Sequence, residues 1–226
     1  MEETLAPDWI PIFPLENVVL FPKVRVPLHI FEPRYREMTH AALSDHKRIG
    51  MVATLPEHLQ GNSDAPPIFK VGCEGLISSH ELLPDGRYNT VLMGLSRFNI
   101  LEEQAPSQER AYRTARIERL DEIPASGALE NEEIQLQRGE VLERLTEWVR
   151  RTSDSPEQAI SEELLQPFDD ETFVNMLAQS IDFAAAERQA LLECDAISQR
   201  MRDLNGLLRF RLSELASHIA GSSPLH

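Results

Sequence analysis

The sequence predicts an α+β protein: a small barrel-like β half with one early helix, then a helical half ending in a long helix. Three observations predict it. Apolar residues alternate through the first half and then, shortly after residue 120, recur at the three-and-four spacing of helices. Short strand-like runs punctuated by Gly and Pro fill the first half, and "LPDGRY" supplies an Asp-Gly hairpin signal between two of them. Charge divides at the same place: residues 1–120 carry 13 Lys and Arg against 16 Asp and Glu, whereas residues 121–226 carry 9 against 21. The boundary is placed in "DEIPASGA", giving a β-rich part over 1–124 and a helical part over 125–226.

The first expected strand is "IPIF". In "KVRVPLHI", Val24, Val26, Leu28 and Ile30 share one face while Lys23, Arg25, Pro27 and His29 share the other, and Pro27 marks an edge. Pro33 then suits the first turn of the helix "PRYREMTHAALSD", which carries Tyr35, Met38 and Ala42 on one stripe. At this corner Phe31 is expected to fold back as a hydrophobic staple and Glu32 to receive first-turn N–H groups. Further strands are expected at "RIGMVATL", "CEGLISSHELL", "RYNTVLMGL", "RFNILEE" and "YRTARIERL", with "PEHLQGNSDAPP" a polar loop. The many short strands fit a barrel.

In the helical part, Ile134, Val141, Leu145 and Trp148 line one stripe of "LENEEIQLQRGEVLERLTEWVRR". "TSDSPE" breaks the chain, and "FDDETFVNMLAQSI" opens a new helix with an aspartate cap. Ile197, Met201, Leu204, Leu208, Leu212, Leu215 and Ile219 then define a long helix over about 195–220. Gly206 inside it costs about 1 kcal/mol relative to Ala, so a close packing contact is expected there.

Composition excludes several classes. A chain of 226 residues buries enough surface to fold without staples, and two isolated cysteines give no disulfide framework. The opening "MEETLAPDWI" lacks the basic start and apolar run of a leader, and no apolar run approaches the ~20 residues of a membrane span. A cytoplasmic protein is therefore expected. A net charge of −15 argues against nucleic acid. The arginines of "RAYRTARIERL" alternate between faces and make no basic stripe. Seven histidines fall at no metal-ligand spacing, and no metal or cofactor is expected. The acidic doublets Glu102–Glu103, Glu162–Glu163 and Asp169–Asp170 are read as solvated faces or caps rather than an acid/base pair.

The run "FPLENVVLFPKVRVPLHIFEPRYREM" closely resembles the opening of the Lon protease N-terminal, or substrate-binding, domain family. The resemblance continues through "RIGMV", "FKVGCEGLI", "LPDGRYNTVLMGLSRFNILEE" and "YRTARIERL", and more weakly into "ERQALLECDAISQRMRDLNGLL". It spans about residues 10 to 216. It implies a small PUA-like β barrel followed by a helical bundle. In full-length Lon proteases this region precedes an ATPase module and a Ser-Lys peptidase. The three lysines, in "FPKV", "DHKR" and "IFKV", support neither a phosphate loop nor lysine-assisted serine catalysis. The expectation is a stand-alone, non-enzymatic module that binds unfolded or exposed polypeptide. Two alternatives stand behind it: an adaptor docking on a separate ATP-dependent protease, and RNA binding by fold-level analogy, which the charge disfavours. Candidate groove residues are His29, Arg34, Tyr35, Met93 and Arg97. The plainer reading makes Tyr35 and Met93 core and both arginines locally paired.

Overall fold

The alternating segments form strands β1 (Trp9–Leu15), β2 (Arg25–Ile30), β3 (Arg48–Ala53), β4 (Val71–Leu82), β5 (Tyr88–Gln104) and β6 (Thr114–Leu120). They are seen in a computed structural model, which describes residues 8–56, 66–152 and 165–221. The sheet order is β2-β5-β4-β3-β1-β6, and β6 also pairs with β5, so five strands close on themselves and β2 extends the sheet beyond the ring. β1 and β3 run parallel and the other pairs antiparallel. Ile10, Ile12, Val52, Ile68, Phe98, Ala115 and Ile117 fill the core of the ring. Gly72 keeps it closed, because a Cβ there would lie 2.6 Å from the Phe98 ring and 2.5 Å from the Met51 carbonyl.

"RYNTVLMGL" and "RFNILEE" are one strand rather than two. Glu74 pairs with Ser96 and Gly75 with Gly94, so Leu95 is an extra residue and the strand bends there instead of ending. β5 pairs with β2 over residues 88–93, with β4 over 88–99 and with β6 from Arg97 onward. The Asp-Gly turn forms as expected: Gly86 takes φ +80° and its N–H donates to the Leu83 carbonyl at 2.9 Å.

One charge is built into the barrel wall. The Glu74 side chain is fully buried and accepts from Arg119 Nε and Nη2 at 2.8 and 2.9 Å and from Arg48 Nη1 at 3.0 Å. Burial alone would raise its carboxyl pKa. The hydrogen bonds from Arg119 and Arg48 outweigh burial and hold it below the ordinary carboxylate value.

Helices α1 (Pro33–Leu43), α2 (Ala128–Thr152), α3 (Asp170–Ser180), α4 (Ala185–Glu193) and α5 (Ile197–Gly221) complete the described fold. Pro33 opens α1, which buries Tyr35, Met38, Thr39 and Ala42. Two expectations at this corner are corrected. Phe31 is 60% exposed instead of stapled, because the staple partner position carries Arg36. The Glu32 carboxylate makes no cap bond and pairs with Arg34 Nη2 at 2.9 Å. At α3 the aspartate cap is present, with Asp169 Oδ1 accepting from Thr172 N–H at 2.7 Å.

The chain divides into two compact units. One holds the residues up to Asp121 together with Asn175–Glu193; the other holds Glu122–Val174 and the chain from Cys194 onward. This differs from a division at 124/125 because Asn175–Glu193 belong with the sheet. Asn175 Nδ2 donates to the Pro22 carbonyl at 3.1 Å and Gln189 Nε2 to the Val71 carbonyl at 3.0 Å. In the second unit α2 and α5 bury Ile134, Val141 and Leu145 and Ile197, Met201, Leu204 and Leu208, while Trp148, Leu212 and Leu215 are half-buried. At Gly206 an added Cβ would meet nothing within 4 Å, which overturns the expected close contact. The polar loop "PEHLQGNSDAPP", the break "TSDSPE" and the doublet Glu162–Glu163 lie largely outside the described residues, as does the Ile219 side chain. Among the described residues no helix is long and apolar enough to cross a membrane.

Candidate functional site

Beyond the closed ring, β2, the first half of β5 and the second half of β4 form a three-stranded antiparallel arm. Its register sets three rows on one face: Arg25–Met93–Leu76, Pro27–Val91–Ser79 and His29–Asn89–Glu81. The opposite face carries Val26, Leu92 and Ile77, which are buried. Alternation therefore turns Pro27, His29, Val91 and Met93 away from the core. An open groove of about 470 Å³ runs over the last two rows, lined by Pro27, His29, Ser79, Glu81, Asn89 and Val91. Met93 and Leu76, both half-buried, continue the apolar strip one row further.

A hydrogen-bonded chain closes the polar end. His29 Nδ1 lies 2.8 Å from Asn89 Oδ1, and its Nε2 lies 3.2 Å from Arg87 Nη1. A guanidinium only donates, so in this arrangement Nε2 accepts from Arg87 and Nδ1 donates to Asn89. Asn89 Nδ2 passes the chain on to Glu81 Oε2 at 3.1 Å, and Arg87 Nε donates to Asp85 Oδ2 at 2.6 Å. Those hydrogen bonds from Arg87 hold the Asp85 carboxyl below its ordinary pKa. Past this row the Phe31 ring stacks on His29, with centroids 6.3 Å apart and planes 24° apart. Both His29 nitrogens are engaged in this chain, which fixes the ring's orientation.

β2 is the edge of the arm, as Pro27 implied. The Gly94 N–H donates to the Val24 carbonyl, so by alternation Val26, Leu28 and Ile30 direct their backbone groups to β5. Arg25, Pro27 and His29 direct theirs outward, and the middle one has no N–H to give. The edge is blunted against strand addition.

Of the five candidate residues, His29 and Met93 share this face. Arg34 sits in the first turn of α1, paired with Glu32 and 4.6 Å over the Tyr35 ring. Tyr35 is core: its ring centroid lies 4.5 Å from that of Phe13, and burial raises its phenol pKa. Arg97 is corrected most sharply. It is fully buried and donates to the carbonyls of Leu192 and Asp121, both at 3.3 Å, so it cannot line an open groove. Pro27, Ser79, Asn89 and Val91, which line the groove, and Phe31, which stacks on His29, were not among the candidates. Alternation alone had placed Pro27 with His29, and counting outward from the Asp-Gly turn pairs Asn89 with Glu81. Among the described residues no group of three or more His, Cys, Asp or Glu is placed to hold a metal ion.

A family model for the ATP-dependent protease La (LON) substrate-binding domain matches residues 9–209. The chain belongs to the Lon substrate-binding domain family. The Lon protease of Trichlorobacter lovleyi is 30% identical over 210 residues, covering 92% of this chain and 24% of that protein. That of Geobacter metallireducens is 31% identical over 209 residues, again 24% of its length. The chain thus spans about a quarter of the curated relatives it matches. The N-terminal domain of a Mycobacterium avium complex Lon protease superposes with a TM-score of 0.67 at 17% identity, over 89% of this chain and 98% of that one. A Lon N-terminal domain protein from Xanthomonas campestris gives 0.61 at 19%, over 87% and 96%. These two likenesses establish the shared α+β fold of the Lon domain.

Proposed function

We propose that this Lon-type domain is a non-catalytic binding module that holds extended, apolar polypeptide segments on the outer face of the arm. The observation that carries the reading is the apolar strip of half-buried Leu76, Met93 and Val91 with exposed Pro27, turned away from the core and ending at the exposed Phe31. A segment laid across it gains by covering these side chains, at about 25 cal/mol per Å² of apolar surface. The His29–Asn89–Glu81 row gives polar contacts at one end. Strand addition contributes little because Pro27 interrupts the outer edge. A face this small fits a transient contact, which suits a surface that must release its client. The test is binding of a fluorescent, permanently unfolded polypeptide by the purified chain. Saturable binding supports the reading; no signal above background up to high micromolar sinks it. Casein incubated with the chain, with and without ATP, is expected to stay intact with no nucleotide consumed.

A second reading, an adaptor docking on a separate ATP-dependent protease, is favoured by Leu129 and Leu136. They lie seven residues apart on α2 and are 83% and 64% exposed. It forecasts co-purification with that protease, lost when both leucines are replaced by serine.

A further inference from the structure

The second unit contains a polar cleft that the polypeptide-binding reading does not use. It lies between α2 and α5, holds about 220 Å³, and is floored by Gly206. Two features of the cleft lack a structural reason. Gly206 sits inside a 25-residue helix, yet nothing within 4 Å would obstruct a side chain there, so packing does not demand a glycine. What its missing side chain does is leave the cleft open. The second feature is charge. Residues 121–226 carry 9 arginines and 21 acids, and three of the nine, Arg144, Arg202 and Arg209, converge on this one cleft.

The charges can be paired off. Arg144 Nη1 donates to Glu140 Oε2 at 2.9 Å and to Asn205 Oδ1 at 2.5 Å, and Asn205 Nδ2 donates to Gln137 Oε1 and to the same Glu140 oxygen. Arg202 Nη1 pairs with Glu133 Oε1 at 2.7 Å. Glu140 and Glu133 therefore offset Arg144 and Arg202. Arg209 is exposed, and among the described residues it has no hydrogen bond or ion pair, feeling Glu140 only through the longer-range field. The lining is left with one uncompensated guanidinium beside an open floor.

We infer that this cleft is a carboxylate-binding site, with Arg209 supplying the fork and Gly206 the room. One uncompensated positive charge matches a monoanion; a phosphate dianion would be left half-neutralised next to Glu140. A guanidinium also presents two parallel N–H groups to the two oxygens of a carboxylate. The group could arrive as a polypeptide's acidic side chain or as a free small acid, and the chemistry at Arg209 is the same.

The test follows the Gly206 amide and the Arg209 Nε–H by NMR in the full chain. The ligands are a capped Gly-Glu-Gly peptide, butyrate and sulfate, at about 0.15 M ionic strength to screen the acidic surface. Saturable shifts of both signals with the peptide or butyrate are expected, and whichever saturates at lower concentration identifies the source. Arg209→Gln and Gly206→Leu should each weaken binding about tenfold or more, while Arg209→Lys should restore only part of it. Unsaturable shifts, equal saturation by sulfate, or unchanged binding in Arg209→Gln would overturn the assignment. The peptide carries no apolar side chain, so the result is independent of whether the arm binds clients.

Discussion

Glu74 is a carboxylate with no exposed side-chain surface, kept charged by two arginines, and it ties stability to pH. Its folded pKa lies below its unfolded one, so the unfolded chain takes up the proton first as pH falls. The contribution is complete above the unfolded value of about 4.3 and is lost as pH drops through the folded value. Glu74→Gln should cost about 3 kcal/mol at neutral pH and flatten the acid limb of a urea-unfolding series; a variant that loses stability below pH 4 just as steeply as the parent would contradict this. Gly206→Ala should do the reverse, adding about 1 kcal/mol in the same assay, since the new methyl meets nothing. At this scale residue type misleads at Arg97, which looks like a groove residue because it is charged, yet is satisfied by carbonyls 24 and 95 positions away. Tyr35, on the apolar stripe of α1, packs on Phe13 as the plainer reading has it. Local sequence carries no trace of such distant partners.

Elements were legible wherever periodicity was strong. The core face of β2, the stripe of α1 and the aspartate cap of α3 all follow from spacing and residue type. What was not legible is where strands meet. The turn fixes the β4–β5 register, but β2 pairs with β5 across more than fifty intervening residues, and only that pairing sets Val91 beside Pro27. The bulge at Leu95 likewise disguised one strand as two. Helix α4 was passed over because it has no Ser, Thr, Asp or Asn cap; instead Glu187 reaches back to accept from the Ala184 N–H at 2.7 Å. The arm predicts its own perturbation. Phe31 is 60% exposed, so Phe31→Ser should leave the unfolding midpoint within error. It should nonetheless weaken binding of an apolar polypeptide about tenfold, from roughly 1.5 kcal/mol of lost burial. Equal affinities by fluorescence anisotropy would remove the tip of the arm from the site.

For the whole molecule, charge and apolar surface make separable contributions. The net charge is −15, and most of it lies in residues 121–226. Such a field acts over roughly a Debye length, about 10 Å at 0.1 M salt, and under the proposed function it would govern how a client arrives rather than how it is held. A basic unfolded client should therefore associate faster than an acidic one of equal apolar content, by about tenfold at 10 mM ionic strength. At 1 M the two rates should converge, since screening then acts within about 3 Å. Phe31→Ser should leave this salt dependence intact and appear in the dissociation rate, because the lost contact forms only after encounter. Stopped-flow measurements on the two clients resolve both effects. If salt changed the two association rates alike, the acidic half would have no part in capture. If Phe31→Ser slowed association instead of speeding release, the arm would be a point of first contact rather than the seat that holds the segment.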